Sequence, residues 1–138
     1  MPARDTYHYQ FRTALIKDGW KITDDPLHLK YGGQDMFVDL GAEEIIAAEK
    51  AGRRIAIEIK SFLGLSEIKD LETAVGQFVL YRDVLQETGS DRELYLAVTE
   101  ETFEKVFKAK IGQLMIRRQK LLLIVFDPVG EEIKQWLP

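Results

Sequence analysis

The chain has 138 residues, of which 46% are hydrophobic and 30% charged, and it contains no cysteine. This length and composition fit one soluble domain, residues 1–138, and the lack of thiols excludes a disulfide framework or a thiolate zinc site. The net charge of −4 argues against a general nucleic-acid coat, although a local groove can still bind DNA. With no apolar run of the ~18 residues that span a bilayer and no signal peptide, we expect a cytoplasmic protein without a membrane partner.

Hydrophobic periodicity and turn residues predict a series of alternating helices and strands. The first half is predicted to contain a helix at 5–18, an extended segment at 20–31 broken at Pro26, a turn at Gly32 and Gly33, and strands at 36–40, 44–50 and 53–61. A long helix at 66–86 and a strand at 93–99 follow. The last part is predicted to contain helices at 100–108 and 111–118, an almost wholly apolar strand at 121–126, and a turn with a short helix at 128–136. This order predicts an α/β fold with a central mixed sheet flanked by helices.

The strands at 44–50 and 53–61 are predicted to form a hairpin around Ala51 and Gly52. In this register apolar residues face apolar residues and opposite charges face each other. The register also places Glu43 opposite Lys60. The pairs it predicts are Glu49 with Arg54, Ile46 with Ile57, and Ala48 with Ile55.

The triplet Glu58-Ile59-Lys60 is the strongest candidate for chemistry. Alternation along the strand at 53–61 sends the isoleucines to one face and Glu58 and Lys60 to the other. A carboxylate on a rigid strand can hold a hard divalent cation, and a neighbouring lysine can position water or stabilise charge on a phosphate. Taken alone, the triplet is more often an incidental acid–base neighbour on an amphipathic strand.

A second carboxylate for such a site would come from the preceding strand. Asp39 precedes Glu58 by 19 positions and falls on the same predicted face. In the predicted register Asp39 lies further along than Glu43, and it needs a bend, which Gly41 could permit. Asp39 and Glu43 therefore both stay open as the second ligand, and Asp39 could also be a simple turn residue.

Gln77 and Tyr81 lie four positions apart on one face of the long predicted helix. An amide and a phenol placed in this way can hydrogen-bond phosphate oxygens or hold a lysine. The alternative is an aromatic residue at the rim of the core beside a solvated glutamine.

Together these residues resemble the PD-(D/E)XK nuclease superfamily, with its restriction-endonuclease-like core. The resemblance implies that Asp39, Glu58 and the carbonyl of Ile59 coordinate Mg²⁺ or Mn²⁺, while Lys60, Gln77 and Tyr81 complete a catalytic site. The activity implied is that of a metal-dependent endodeoxyribonuclease. Val38 stands where the superfamily name has proline.

A narrower resemblance covers nearly the whole chain and is to XisH, the cyanobacterial fdxN element excision controlling factors. The segments that carry it are 14–23, 25–27, 38–43, 56–62 and 76–81. It implies a part in developmentally regulated DNA excision, with DNA and a XisI-type protein as partners. A homodimer is expected only by analogy with other nucleases of this fold. Three functions stay open: a nuclease, a non-catalytic DNA- or protein-binding regulator, and an architectural factor beside a separate recombinase.

Two other groups of charged residues stand out. Asp5, His8 and Arg12 share one face of the first predicted helix, where Asp5 is most simply an N-cap. The segment 105–120 holds six basic residues and no acid, which is typical either of a phosphate-binding patch or of solvated helix surfaces.

Overall fold

The computed structural model describes residues 4–44 and 52–138. The helices are α1 (His8–Lys17), α2 (Glu67–Glu87), α3 (Glu100–Thr102), which continues as a π-helical turn at Phe103–Phe107, and α4 (Lys110–Gln119). The strands are β1 (Lys21–Asp24), β2 (Leu27–Tyr31), β3 (Gln34–Val38), β4 (Leu40–Glu44), β5 (Arg53–Ile59), β6 (Glu93–Thr99), β7 (Leu123–Asp127) and β8 (Glu132–Leu137). None of the helices in these ranges is both long and apolar enough to cross a membrane.

Six strands form one mixed sheet in the order β1-β4-β5-β6-β7-β8. The neighbours β5, β6 and β7 run parallel, and the remaining pairs are antiparallel. Strands β2 and β3 form a separate hairpin. The predicted α/β fold with a central mixed sheet is therefore confirmed.

The six-stranded sheet divides the core into two layers, and strand β5 lies inside this sheet. Ile55, Ile57 and Ile59 belong to the layer that contains Phe11 of α1. Ala56 belongs to the opposite layer, which contains the buried residues of α2. The alternation predicted for this strand is confirmed, and it directs Glu58 to the side of the sheet covered by α2.

Helix α2 follows β5 and covers that second layer. The Ser66 side chain accepts a hydrogen bond from Lys69 N–H and caps the helix, and Glu67 favours the positive end of the helix dipole. Leu71 and Phe78 pack into the layer between helix and sheet. Helix α2 thus covers the side of the sheet to which Glu58 points.

The β2–β3 hairpin also packs on the α2 side. Its turn is made by Gly32 and Gly33 at φ values of 57° and 78°, a left-handed conformation that glycine adopts without strain. Val38 at the end of the hairpin is fully buried in the α2-side layer. The chain then passes through Asp39 into β4, so Asp39 lies where the chain crosses from the hairpin to the main sheet.

The predicted register of the second hairpin is wrong. Strand β4 pairs with β5 so that Leu40 faces Ile57 and Glu43 faces Arg54, not Lys60. The two registers differ by an even number of residues, so both keep apolar residues on one face, and alternation alone cannot distinguish them. Most of the predicted strand at 44–50, with its partners Ile46, Ala48 and Glu49, lies outside the described residues.

The end of the chain also differs from the prediction. Glu132–Leu137 is a strand that pairs antiparallel with β7, whereas a short helix was expected there. Ile133 and Trp136 of this strand pack against the α1-side core and cover the edge of β7. Tertiary packing therefore overrides a weak local preference. Strand β7 itself is buried on both faces, as predicted.

Candidate functional site

Asp39 and Glu58 lie beside each other across the β4–β5 pairing. Asp39 N–H donates to Glu58 Oε1 at 3.2 Å, and Ile59 N–H donates to Asp39 Oδ2 at 2.7 Å. Each carboxyl group is therefore held through the backbone of the other strand. This reciprocal pair fixes both side chains at the end of β5, and we call it the carboxylate pair.

Burial makes the carboxylate pair electrostatically unusual. Glu58 is only 7% exposed, and burial together with the Asp39 charge raises the pKa of Glu58 to about 9. Burial also raises the pKa of Asp39, although the Ile59 N–H hydrogen bond and the His8 ring act in the opposite direction. A buried carboxyl group beside a half-buried one favours sharing a proton or a cation.

Lys60 follows the pair at the end of β5. Its backbone N–H donates to Ala97 O at 3.0 Å, which fixes the residue to β6. Its Nζ lies 3.8 Å from Asp70 Oδ1 on α2, and Asp70 also accepts a hydrogen bond from Gly64 N–H. The sequence does not predict that Asp70 belongs to the site, because no motif specifies its spacing from Lys60.

Tyr81 borders the same site from α2. Its phenol is half-buried, and burial raises its pKa to about 12, with the charges of Glu58 and Asp39 adding to the rise. Tyr81 is therefore a neutral donor close to the carboxylate pair. Gln77 lies one turn earlier on α2 and is half-buried, and no hydrogen bond among the described residues joins its side chain to these groups.

The donor atoms of the carboxylate pair suit a hard divalent cation. Glu58 and Asp39 each use one oxygen for a backbone N–H and keep a second oxygen free of backbone hydrogen bonds in the described part of the chain. Oxygen ligands are those that Mg²⁺ and Mn²⁺ prefer. Residues 4–44 and 52–138 contain no group of three or more His, Cys, Asp or Glu side chains arranged around one metal position. Backbone carbonyls, water or a substrate can supply further oxygen ligands.

The structure also separates Asp39 from Glu43. Asp39 pairs with Glu58 directly, whereas Glu43 faces Arg54 near the other end of β5. Gly41 pairs with Ala56 within β4, and a Cβ there would lie 2.9 Å from Asp24 Oδ2, so the glycine leaves room for the Asp24 side chain of β1.

Asp5 connects α1 to the site. Its Oδ1 accepts from Tyr7 N–H and its Oδ2 accepts from Ser61 N–H, both at 2.9 Å. Tyr7, and not Asp5, is the residue that precedes α1. Asp5 therefore holds the turn before the helix and also binds the backbone of Ser61, the residue after Lys60. No pattern in the sequence predicts the second of these contacts.

The basic segment at 105–120 is partly neutralised. Lys105 lies 2.7 Å from Glu101, and Lys108 lies 2.9 Å from Glu104, in each case one helical turn earlier. Because Glu101 and Glu104 lie just outside the segment, the composition of residues 105–120 overstates the net positive charge of this part of the surface.

Fold and site together define a class of α/β protein whose central sheet presents the carboxylate pair followed by a lysine. The family model described as XisH protein matches residues 1–134. The chain belongs to the XisH family.

Two solved structures are similar to the chain over almost all of its length. An XisH family protein from Nostoc punctiforme has 37% identity and a TM-score of 0.88, with 97% of this chain and 100% of that chain covered. A fdxN element excision controlling factor protein from Anabaena variabilis has 40% identity and a TM-score of 0.86, with 98% and 100% covered. No curated protein gives a significant match.

Proposed function

We propose that this protein acts in the control of DNA-element excision and hydrolyses a phosphodiester bond with the help of Mg²⁺ or Mn²⁺. The similarity to the Anabaena variabilis excision controlling factor supports the biological role. The observation that carries the chemistry is the pairing of the buried Glu58 with the half-buried Asp39, next to Lys60. The resemblance to PD-(D/E)XK nucleases gives the same assignment and stays a prediction.

In this proposal Asp39 and Glu58 hold the cation, with the carbonyl of Ile59 as a further ligand. The bound cation would lower the pKa of a water molecule and neutralise charge on the scissile phosphate. Lys60 leaves Asp70 to orient that water or to stabilise the charge that develops on the phosphate. Tyr81 donates a hydrogen bond from its phenol to a phosphate oxygen, and Gln77 adds an amide donor on the same helix face.

A cleavage assay tests the proposal. The purified protein, alone and with a XisI-type partner, is incubated with duplex, single-stranded and branched DNA in Mg²⁺ or Mn²⁺. We expect Glu58→Gln and Lys60→Ala each to reduce cleavage by about 100-fold or more, because each removes a group that acts on the reacting phosphate.

Matched variants control for charge and for folding. Glu43→Gln removes a carboxylate that faces Arg54, and Lys69→Ala removes an exposed lysine on the first turn of α2. Both should cleave as the unchanged protein does. Equal cleavage by Glu58→Gln and the unchanged protein would indicate a contaminating nuclease, and no cleavage of any substrate would refute the catalytic proposal.

A second candidate function is a regulator that binds DNA or a XisI-type protein without cutting. Two observations favour it: Lys60 Nζ lies 3.8 Å from Asp70, and the chain has a net charge of −4. This function requires that Glu58→Gln leaves DNA and partner binding unchanged while no variant cleaves.

Light scattering on the same samples tests for a homodimer.

A further inference from the structure

Two arginine side chains near the start of the chain flank one carboxylate. Arg4 Nη1 lies 2.6 Å from Asp25 Oδ1, and Arg12 Nε lies 3.1 Å from Asp25 Oδ2. Nε2 of the buried His8 ring lies 2.8 Å from the same carboxylate. The two arginine side chains, which we call the arginine pair, remain 37% and 39% exposed and are open to a ligand from solvent.

The arginine pair has more charge and more donors than Asp25 can satisfy. The Asp25 carboxylate alone balances only one of the two guanidinium charges. A guanidinium has five N–H donors, and Arg12 presents only its Nε to Asp25. Its Nη groups donate to no acceptor within residues 4–44 and 52–138. A planar fork left free in this way suits a phosphate, which accepts two parallel hydrogen bonds.

Arg4 is connected to the end of β5 that carries the carboxylate pair. The hydrogen bond with Asp25 is the main cause that raises the pKa of Arg4, and the charge of Asp39 contributes to the rise. Asp5, which follows Arg4 in the chain, accepts from Ser61 N–H beside Lys60. The start of α1 is thereby attached to the end of β5.

An exposed aromatic ring completes this surface. Tyr9 is 64% exposed, and the Arg4 guanidinium lies 5.4 Å from its ring centroid. Tyr9 and Arg12 are three positions apart on α1 and therefore neighbours on its surface. Guanidinium groups beside an exposed ring are the combination that contacts the backbone and bases of nucleic acids.

We infer that Arg4 and Arg12 bind a backbone phosphate of DNA adjacent to the phosphate held at the carboxylate pair. The inference rests on the proposed function for the identity of the ligand. It also gives a physical reason why a chain with net charge −4 can bind a polyanion. The two arginines place positive charge near acids that would otherwise repel the DNA. The alternative is a purely structural role, in which the arginines only hold Asp25.

The test measures DNA binding without cleavage. A fluorescein-labelled duplex and the matching single strand are titrated with protein in EDTA at about 50 and about 200 mM salt, the range in which phosphate contacts change affinity most clearly. The variants are Arg12→Ala, Arg4→Ala and Arg12→Lys. The control is Arg54→Ala, which removes an arginine of similar exposure, 44%, paired with Asp91 near the other end of β5.

We expect Arg12→Ala and Arg4→Ala to weaken binding about 5- to 10-fold and to reduce the slope of log affinity against log salt by about 1 each. Arg12→Lys should keep the slope and recover part of the affinity, since it retains the charge without the fork. Arg54→Ala should stay within about 2-fold of the unchanged protein. A structural role would instead lower the melting temperature of Arg12→Ala and leave the salt slope unchanged.

The inference fails if Arg12→Ala and Arg54→Ala behave alike, or if the unchanged protein binds neither DNA. The outcome is separate from that of the cleavage assay. Glu58→Gln should reduce cleavage by about 100-fold or more and retain binding in EDTA, so a lack of catalysis leaves the arginine result interpretable.

Discussion

Strand β5 carries charged residues at both ends, and the two ends differ in how that charge is balanced. At the start of the strand Arg54 lies 3.0 Å from Asp91 and Arg53 lies 3.5 Å from Glu93, with both arginine side chains 44% exposed. At its end Glu58 is 7% exposed and lies against Asp39, a second acid. The first end is neutralised and solvated. The second places a buried carboxyl group against a half-buried one, which is costly unless a proton or a cation is bound.

This difference locates the candidate site better than the number of charges does. A search for the densest charge would favour the start of β5 or the basic segment at 105–120. Burial without a balancing charge instead identifies the carboxylate pair, since surface ion pairs contribute little and perturbed buried acids concentrate at functional sites.

The largest effect expected is stabilisation by a divalent cation. At a free Mn²⁺ concentration about 100 times its dissociation constant, the free energy of unfolding should rise by about 2.7 kcal/mol. Glu58→Gln should abolish this rise and Glu43→Gln should retain it. Thermal unfolding with and without Mn²⁺ measures both. Equal stabilisation in the two variants would place the cation elsewhere.

The next effect is a loss of stability as the pH rises. The pKa of Glu58 is about 9 in the folded chain, against 4.5 as its ordinary value. Below about pH 4.5 the group is protonated in both states, whereas between the two values only the folded state keeps the proton. The free energy of unfolding should therefore fall across this window, by at most about 1.4 kcal/mol per pH unit from this group.

Chemical denaturation between pH 6 and pH 8 measures this fall in metal-free buffer. Glu58→Gln keeps the shape of the neutral acid and should remove most of the dependence, so the variant should be more stable than the unchanged protein at pH 8. Glu43→Gln serves as the control and should keep the slope. A slope that persists in Glu58→Gln would show that another group causes it.

The sequence predicted the members of the site better than their arrangement. Asp39, Glu58 and Lys60 could be identified because alternation places Glu58 and Lys60 on one face of a strand and because the motif order is distinctive. The register could not be predicted, since shifts by an even number of residues preserve that alternation. The structure resolves it by pairing Leu40 with Ile57, which brings Asp39 directly to Glu58.

Other parts of the site depend on contacts between residues far apart in the chain. Asp70 approaches Lys60 because α2 folds back over the sheet, and Asp5 reaches Ser61 because α1 packs on the opposite layer. No local pattern encodes either contact. The edge strand β8 was missed for a related reason, because its pairing with β7 decides its structure.

A smaller effect is expected at the start of β5, where Arg53 differs from its neighbour. Its guanidinium lies 5.7 Å from the ring centroids of Trp20, Tyr95 and Trp136 and also donates to the Tyr95 hydroxyl. Arg53→Ala should therefore lower the free energy of unfolding by about 1 to 2 kcal/mol. Urea denaturation followed by tryptophan fluorescence measures the loss. A loss no larger than that of Arg54→Ala would show that the rings contribute nothing to holding Arg53.

The smallest effect is expected from Arg54→Ala, which removes an exposed ion pair with Asp91 and the residue opposite Glu43. Such pairs contribute roughly 0.2 to 1 kcal/mol and are screened by salt, so the loss should be about 0.5 kcal/mol or less and should shrink further at high ionic strength. Urea denaturation at low and high salt measures it. A loss that equals the effects seen at the carboxylate pair, or that persists in high salt, would mean that the two ends of β5 do not differ in the way that their burial indicates.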